Sequence, residues 1–157
     1  MSEMHSDQPA HFLCDQNLGR LAKWLRMLGF DADYMSLWDE KQVRQAITEG
    51  RMVLTRKTSL ARQVGVMVVS HDHVSEQLQE IGRIIALKAH VKPFTRCNLC
   101  NKTLIPLSRE MAKEFVPEYV FSTQETFSSC PSCGRIYWKG THFSRAYDMM
   151  ESLLKDL

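Results

Sequence analysis

Residues Phe12–Asp33 read FLCDQNLGRLAKWLRMLGFDAD, and this stretch decides the fold. Phe12-Leu13-Cys14 is a short apolar run of strand character, and it ends on an acid, Asp15. Leu18, Leu21, Ala22, Leu25 and Leu28 follow at spacings of three and four, which puts them on one face of a helix. Gly29 stands where a helix C-terminus favours a left-handed residue. Arg20, Lys23 and Arg26 line a different face of the same helix. An acid at a strand end, followed by a helix with basic residues, is how a metal and phosphate site begins. The same pattern also describes an ordinary strand–helix unit with a solvated basic face.

Outward from this unit the pattern repeats. Ala32–Met35 reads as a second strand. Asp39 suits a helix N-cap, with Gln42 three residues later completing a capping box, Val43 and Ala46-Ile47 forming the apolar face, and Gly50 as the stop. Met52-Val53-Leu54 is a third strand that runs into Thr55-Arg56-Lys57. Ser59–Gln63 suits a short helical turn, and Val64–Val69 is a β-branched run that reads as a fourth strand. Ser70-His71-Asp72-His73 follows, then a helix expected over Ser75–Leu87 with Leu78, Ile81, Ile84 and Ile85 inward. Alternating strands and helices argue an α/β fold, a parallel sheet covered by helices. Regular periodicity stops at His90–Pro93. The expected division is a loose tail over 1–10, an α/β domain over 11–92, and a small metal-bound module with a C-terminal helix over 93–157.

In open parallel sheets the ligand site lies at the carboxyl ends of the strands. Those ends carry Asp15, Ser36–Glu40, Thr55-Arg56-Lys57 and Ser70–His73. Asp15, Asp39, Glu40 and Asp72 can therefore meet at one edge, although far apart in sequence. Carboxylates so gathered repel unless they share a cation, and a hard divalent ion such as Mg²⁺ or Mn²⁺ answers that need. Asp39 and Asp72 also fit as plain helix caps, a role that Asp15 does not have.

The 157 residues suffice for one ordinary domain, or a domain with a small module. Hydrophobic residues make up 44% of the chain, so a packed core is expected. The net charge of +2 argues no nucleic-acid binding by itself, so a basic surface must be local. No apolar run approaches a membrane span, and the polar start MSEMHSDQPAH has no signal-peptide core, so a cytoplasmic protein is expected.

Four of the five cysteines form two pairs, Cys97-Asn98-Leu99-Cys100 and Cys130-Pro131-Ser132-Cys133, separated by 29 residues. Four thiolates at knuckle spacing suit a closed tetrahedral Zn²⁺ site, structural rather than catalytic. The segment is too small for a good core, so the metal is expected to hold it folded. The intervening residues are expected to form a short helix at Met111–Phe115 and a strand at Tyr119–Phe121. Ile136-Tyr137-Trp138 reads as a strand and Ser144–Leu154 as a final helix with Ala146, Tyr147, Met150 and Leu154 apolar. Tyr137, Trp138, Lys139 and His142 have the chemistry to contact a nucleic acid. Trp138 equally suits a packing contact with the first domain.

Taken together, CDQNLGRLAKWLRMLGFDADY, GRMVLTRKTSL, RCNLCN and CPSCGRIYWKGTHFSR resemble the Mut-seven C-terminal ribonuclease-like family, from about Phe12 to Asp148. The resemblance implies a PIN-like nuclease fold followed by a zinc ribbon. It also implies divalent-metal-dependent cleavage of RNA by acids clustered at the sheet edge, Asp15 matching the first-strand aspartate and Asp39, with Glu40 beside it, the acid after the second strand. Arg20, Lys23, Arg26, Arg56 and Lys57 would then grip a single RNA strand. One position departs from the pattern: the family places an aspartate after its Leu-Thr-Arg, where this chain has Lys57. Lys57 either pairs with Asp15 in the metal's place, or points outward to phosphate while Asp72 serves as ligand. The first case makes the chain a catalytically impaired module that binds RNA or a protein.

Overall fold

The computed structural model describes residues 9–157, apart from the side chain of His142. Most of the expected N-terminal tail therefore lies outside the described residues. The first half is built from β1 (His11–Asp15), α1 (Gly19–Met27), β2 (Asp31–Met35), α2 (Glu40–Thr48), β3 (Arg51–Thr55), β4 (Val66–Val68) and α3 (Val74–Gly82). The four strands form one parallel sheet in the order β2-β1-β3-β4.

Both faces of this sheet are covered, as parallel strands require. Phe12, Cys14, Ala32, Leu54 and Met67 point to one face, where they meet Leu21 and Leu25 of α1, Leu28 just after it, and Leu78 and Ile81 of α3. Leu13 and Val53, one residue out of phase, point to the other face and meet Val43 and Ala46 of α2. The switch of side between α1 and α2 leaves a crevice between the carboxyl ends of β1 and β3.

The helix ends follow local chemistry. Asp39 accepts from the Gln42 amide at 2.9 Å while the Gln42 side chain bonds back to the Asp39 amide, which completes the expected capping box. Gly29 adopts φ +96°, and a Cβ there would meet the Lys92 carbonyl oxygen at 2.2 Å. That close approach lets the Lys92 and Phe94 amides donate to the carbonyls of Leu28 and Met27 at the end of α1.

One expected element of this half is corrected. The helix expected to reach Leu87 ends at Gly82, and Leu87–His90 is a separate 3-10 turn. Ile84 consequently faces solvent while Leu87 re-enters the core. Gly82 is a poor helix residue, and it abuts the side chain of Leu157 at the chain's end. Between β3 and β4 only a 3-10 turn, Thr58–Leu60, intervenes.

The second half contains β5 (Ile105–Leu107), α4 (Arg109–Ala112), α5 (Glu118–Thr123), β6 (Phe127–Ser129), β7 (Ile136–Tyr137) and α6 (Thr141–Lys155). The segment expected as a strand at Tyr119–Phe121 is the helix α5, which buries Val120. Strands β5-β6-β7 form a small antiparallel sheet over a core of Ala112, Val120 and Phe127, joined by Leu107, Val116, Ile136 and Trp138. Trp138 thus packs within this module rather than on the first sheet. Helix α6 returns to the α/β unit, where Met150 is buried among the residues of α1 and α3.

Candidate functional site

The crevice between β1 and β3 is organised on Asp15. This last residue of β1 is 1% exposed. Its Oδ1 accepts from the amides of Gln16 at 2.8 Å and Leu37 at 3.1 Å. Its Oδ2 accepts from the Thr55 hydroxyl at 2.8 Å, and Lys57 Nζ lies 3.6 Å away. Lys57 also donates through Nζ to the Leu37 carbonyl. Burial pushes the Asp15 carboxyl up, but Thr55, the amides of Leu37 and Gln16, and the Lys57 ammonium outweigh it and hold the group below the usual carboxylate range. Asp15 is therefore a buried carboxylate whose Oδ1 is filled by two amides, whose Oδ2 accepts one hydrogen bond, and whose charge is met by Lys57.

The other expected acids are placed differently. Asp39 caps α2 at an exposed position, and Glu40 lies 3.4 Å from Arg44 on the surface of the same helix. Asp72 is 84% exposed and pairs with Arg56 at 2.8 Å. Among the described residues, no group of three acids or histidines has its ligand atoms close enough to share an ion; the cysteines alone do. As placed, Asp15, Asp39, Glu40 and Asp72 do not gather into a divalent-metal site among the described residues. Asp15 keeps one acceptor position on Oδ2, and the charge that faces it is the Lys57 ammonium.

The basic residues also separate. Arg20 and Lys23 are exposed on α1, where they line a shallow cavity of about 320 Å³ with Gly19, Ala22, Arg26 and Tyr34. Arg26 is a correction to the expected gripping set. It is 9% exposed, with Nε donating to the Ala32 carbonyl at 2.7 Å and Nη1 to the Asn98 carbonyl at 2.8 Å. It ties α1 and β2 to the first cysteine knuckle. Arg56 bonds the His71 carbonyl at 2.6 Å as well as Asp72, joining the ends of β3 and β4. Glu80 of α3 holds the adjacent loop through Ser70 and His71, at 2.8 Å and 2.9 Å.

The four expected zinc ligands do converge. The sulfurs of Cys97, Cys100, Cys130 and Cys133 all lie within 4.8 Å of one another. Backbone amides at Cys100, Ser132 and Cys133 point at the sulfurs of Cys97 and Cys130, the usual support for thiolate ligands. Four soft donors in one closed cluster fit zinc in a structural role. The Tyr137 hydroxyl sits 3.1 Å from Cys97 Sγ and accepts from the Asn98 amide at 3.3 Å, so this aromatic is committed to the cluster. Burial raises the Cys97 thiol, but Tyr137 and the surrounding amides lower it to about 6. Cys14, by contrast, is sealed in β1, where burial pushes its thiol up to about 12 and makes it inert. Lys139 is exposed, with its ammonium 5.7 Å over the Phe143 ring; the His142 side chain lies outside the described residues.

Compared with known protein families, the chain matches the Mut7-C RNAse domain over residues 10–150. The chain belongs to the Mut7-C RNAse domain family. Comparisons with curated proteins and with solved structures return no match. For this Mut7-C chain the match spans both the parallel sheet and the cysteine module. No helix among the described residues is long and apolar enough to cross a membrane.

Three residues that matter here were not singled out from the sequence as site residues. Thr55 ends β3 against Asp15, and its signal is its place in the Leu-Thr-Arg run at a strand end. Trp38, 79% exposed, stands beside Leu37 at the same edge. Asn101, just after the first knuckle, adopts φ 59° and reaches into the α/β unit; an Asn directly after a CxxC pair is a fair signal for that backbone.

Proposed function

We propose that this Mut7-C chain binds single-stranded RNA at the carboxyl edge of its parallel sheet, with the acidic centre of a PIN-like ribonuclease neutralised by Lys57. The observation that carries this reading is the 3.6 Å approach of Lys57 Nζ to Asp15 Oδ2, in a carboxylate that also accepts from Thr55, Gln16 and Leu37. An ammonium in that place supplies charge neutralisation but no Lewis acid, so RNA is held while its cleavage is weak. Arg20, Lys23 and Arg56 supply cationic contacts to phosphates, with Arg56 positioned by Asp72. The cysteine cluster holds a structural zinc ion. The location is the cytoplasm.

A second reading is a divalent-metal-dependent ribonuclease in which Asp15, Asp39, Glu40 and Asp72 contribute to catalysis. Membership of an RNase family favours it. Cleavage of a labelled single-stranded RNA with Mn²⁺ or Mg²⁺ separates the two. Parent, Asp15→Asn and Lys57→Asp proteins are compared, with RNA binding measured in parallel. The first reading expects salt-sensitive binding and little cleavage by the parent, with cleavage gained in Lys57→Asp. Metal-dependent cleavage by the parent that Asp15→Asn abolishes establishes the second.

A further inference from the structure

The edge strand β2 is closed along one half and open along the other. Ala32, its second residue, turns its amide and carbonyl away from β1: the amide donates to Asn101 Oδ1 at 3.0 Å and the carbonyl accepts from Arg26 Nε at 2.7 Å. Both partners belong to the attachment of the first cysteine knuckle. In a parallel strand alternate residues point their backbone groups the same way, so the N–H and C=O of Tyr34 also face outward. No knuckle residue bonds those two groups among the described residues.

Tyr34 shares a sheet face with Ala32, the face that α1 covers. Its ring lies against Gly19, where a Cβ would come within 3.2 Å of the ring's Cζ and hydroxyl oxygen. Glycine at this position therefore leaves room for the ring. The hydroxyl is anchored on the Gln16 carbonyl, the residue directly after Asp15. Tyr34 as a residue is nonetheless 47% exposed. An aromatic plane fixed at its tip, open to solvent and flanked by the exposed cations Arg20 and Lys23 is suited to one ligand chemistry. A nucleotide presents a flat base to the ring and an anionic phosphate to the cations. The residues of the cavity run from Gly19 beside the Asp15 edge to Arg26, whose guanidinium bonds the Asn98 carbonyl of the knuckle.

We propose that the groove between α1 and the open half of β2 is a nucleotide-binding subsite, in which a base of single-stranded RNA stacks on Tyr34 and its phosphate lies between Arg20 and Lys23. The proposal rests on the RNA-binding reading and extends it away from Asp15, along α1 toward the zinc module. It also gives Arg26 and Asn101 a second consequence: by covering Ala32 they end the open edge and define the length of the subsite.

The test is binding of a short fluorescent oligouridylate to the full chain, with uridine monophosphate titration followed by NMR. Tyr34→Ala is expected to weaken oligouridylate binding about tenfold or more, and Tyr34→Phe to keep most of it. Joint Arg20→Gln and Lys23→Gln substitution is expected to lower the salt dependence by about one to two ions. In the parent, the monophosphate is expected to shift the Gly19 amide and Tyr34 ring signals, a readout that needs no variant to fold. If the parent binds and the Tyr34→Ala protein, folded by its NMR spectrum, binds equally well, the subsite is wrong and the RNA reading stands. If the monophosphate shifts only signals at Asp15, Thr55 and Trp38, the base sits elsewhere and the subsite is again wrong. If the parent binds neither probe, the RNA reading falls and takes the subsite with it.

Discussion

The carboxamide of Asn101, one residue beyond the first cysteine knuckle, donates to Asp31 at 2.6 Å, at the amino end of the edge strand β2. The same amide donates to Asp33 at 3.0 Å, and its oxygen accepts from the Ala32 amide. One side chain thus joins the metal module to the parallel sheet, at the opposite end of the strands from Asp15. Loss of that side chain strands the buried Ala32 amide and takes one donor from each of Asp31 and Asp33, which keep Arg51. Asn101→Gly, which keeps the left-handed backbone, is expected to cost about 2–4 kcal/mol in denaturant unfolding. Asn101→Ala adds a strained φ and is expected to cost about 1 kcal/mol more. Equal stability of Asn101→Gly and the parent would show that the joint carries no weight.

Zinc removal is expected to act through this same joint. The module buries few apolar residues of its own, so its order depends on the metal. The chain as purified is expected to carry one zinc per molecule, and a strong chelator to lower the thermal midpoint of the whole chain, the α/β unit included. Cys130→Ser, which removes a buried ligand, is expected to do the same without chelator. Metal analysis alongside calorimetry checks this, and an unchanged midpoint in the zinc-free protein would refute the coupling.

Acid should weaken the fold at Asp31. Burial raises its carboxyl, but the hydrogen bonds and charge of Arg51, the Asn101 amide and His11 outweigh that and bring it down to about 2. A carboxylate depressed in the folded state contributes stability that is present above its unfolded value, near 4, and lost as the pH falls through the folded value. The contribution is roughly 2 kcal/mol, lost between about pH 4 and pH 2. Asp15 is depressed in the same direction and adds to the loss over the acid range. Unfolding free energies measured from neutral pH down to about pH 2 should fall less steeply in Asp31→Asn than in the parent.

Thr55 makes a sharper test of the Asp15 environment. Thr55→Val preserves shape but removes the hydroxyl that donates to Asp15 and accepts from the Lys57 amide at 3.1 Å. The expected cost is about 1–3 kcal/mol, since a buried carboxylate oxygen loses its donor. Thr55→Ser keeps the hydroxyl and should recover part of the loss. The Asp15 carboxyl, followed by NMR, should titrate higher in Thr55→Val than in the parent.

The parts whose cause is local were legible in the sequence. The spacing of Leu18, Leu21, Leu25 and Leu28 makes α1, Gly29 ends it, and Asp39 with Gln42 starts α2, each through contacts a few residues away. Paired cysteines at knuckle spacing announced a metal site because thiolate geometry needs little else. Alternation of strand and helix carried β1, β2 and β3 of the parallel sheet, since parallel neighbours require crossovers, while β4 follows β3 through a 3-10 turn. Helix length after β4 was less legible: Ile84 and Ile85 continue the apolar period, but the chain turns at Gly82 against Leu157, a neighbour 75 residues away. What tertiary structure alone decided is which charges meet. Arg20, Lys23 and Arg26 look alike on the helix, yet only Arg26 faces the knuckle carbonyls and is buried there. Lys57 had two directions open to it, and the fold turns it onto Asp15, because the Leu37 carbonyl and the Asp15 carboxylate converge where β1, β2 and β3 end. Charge pairs across a sheet edge depend on three-dimensional proximity, which local periodicity does not encode.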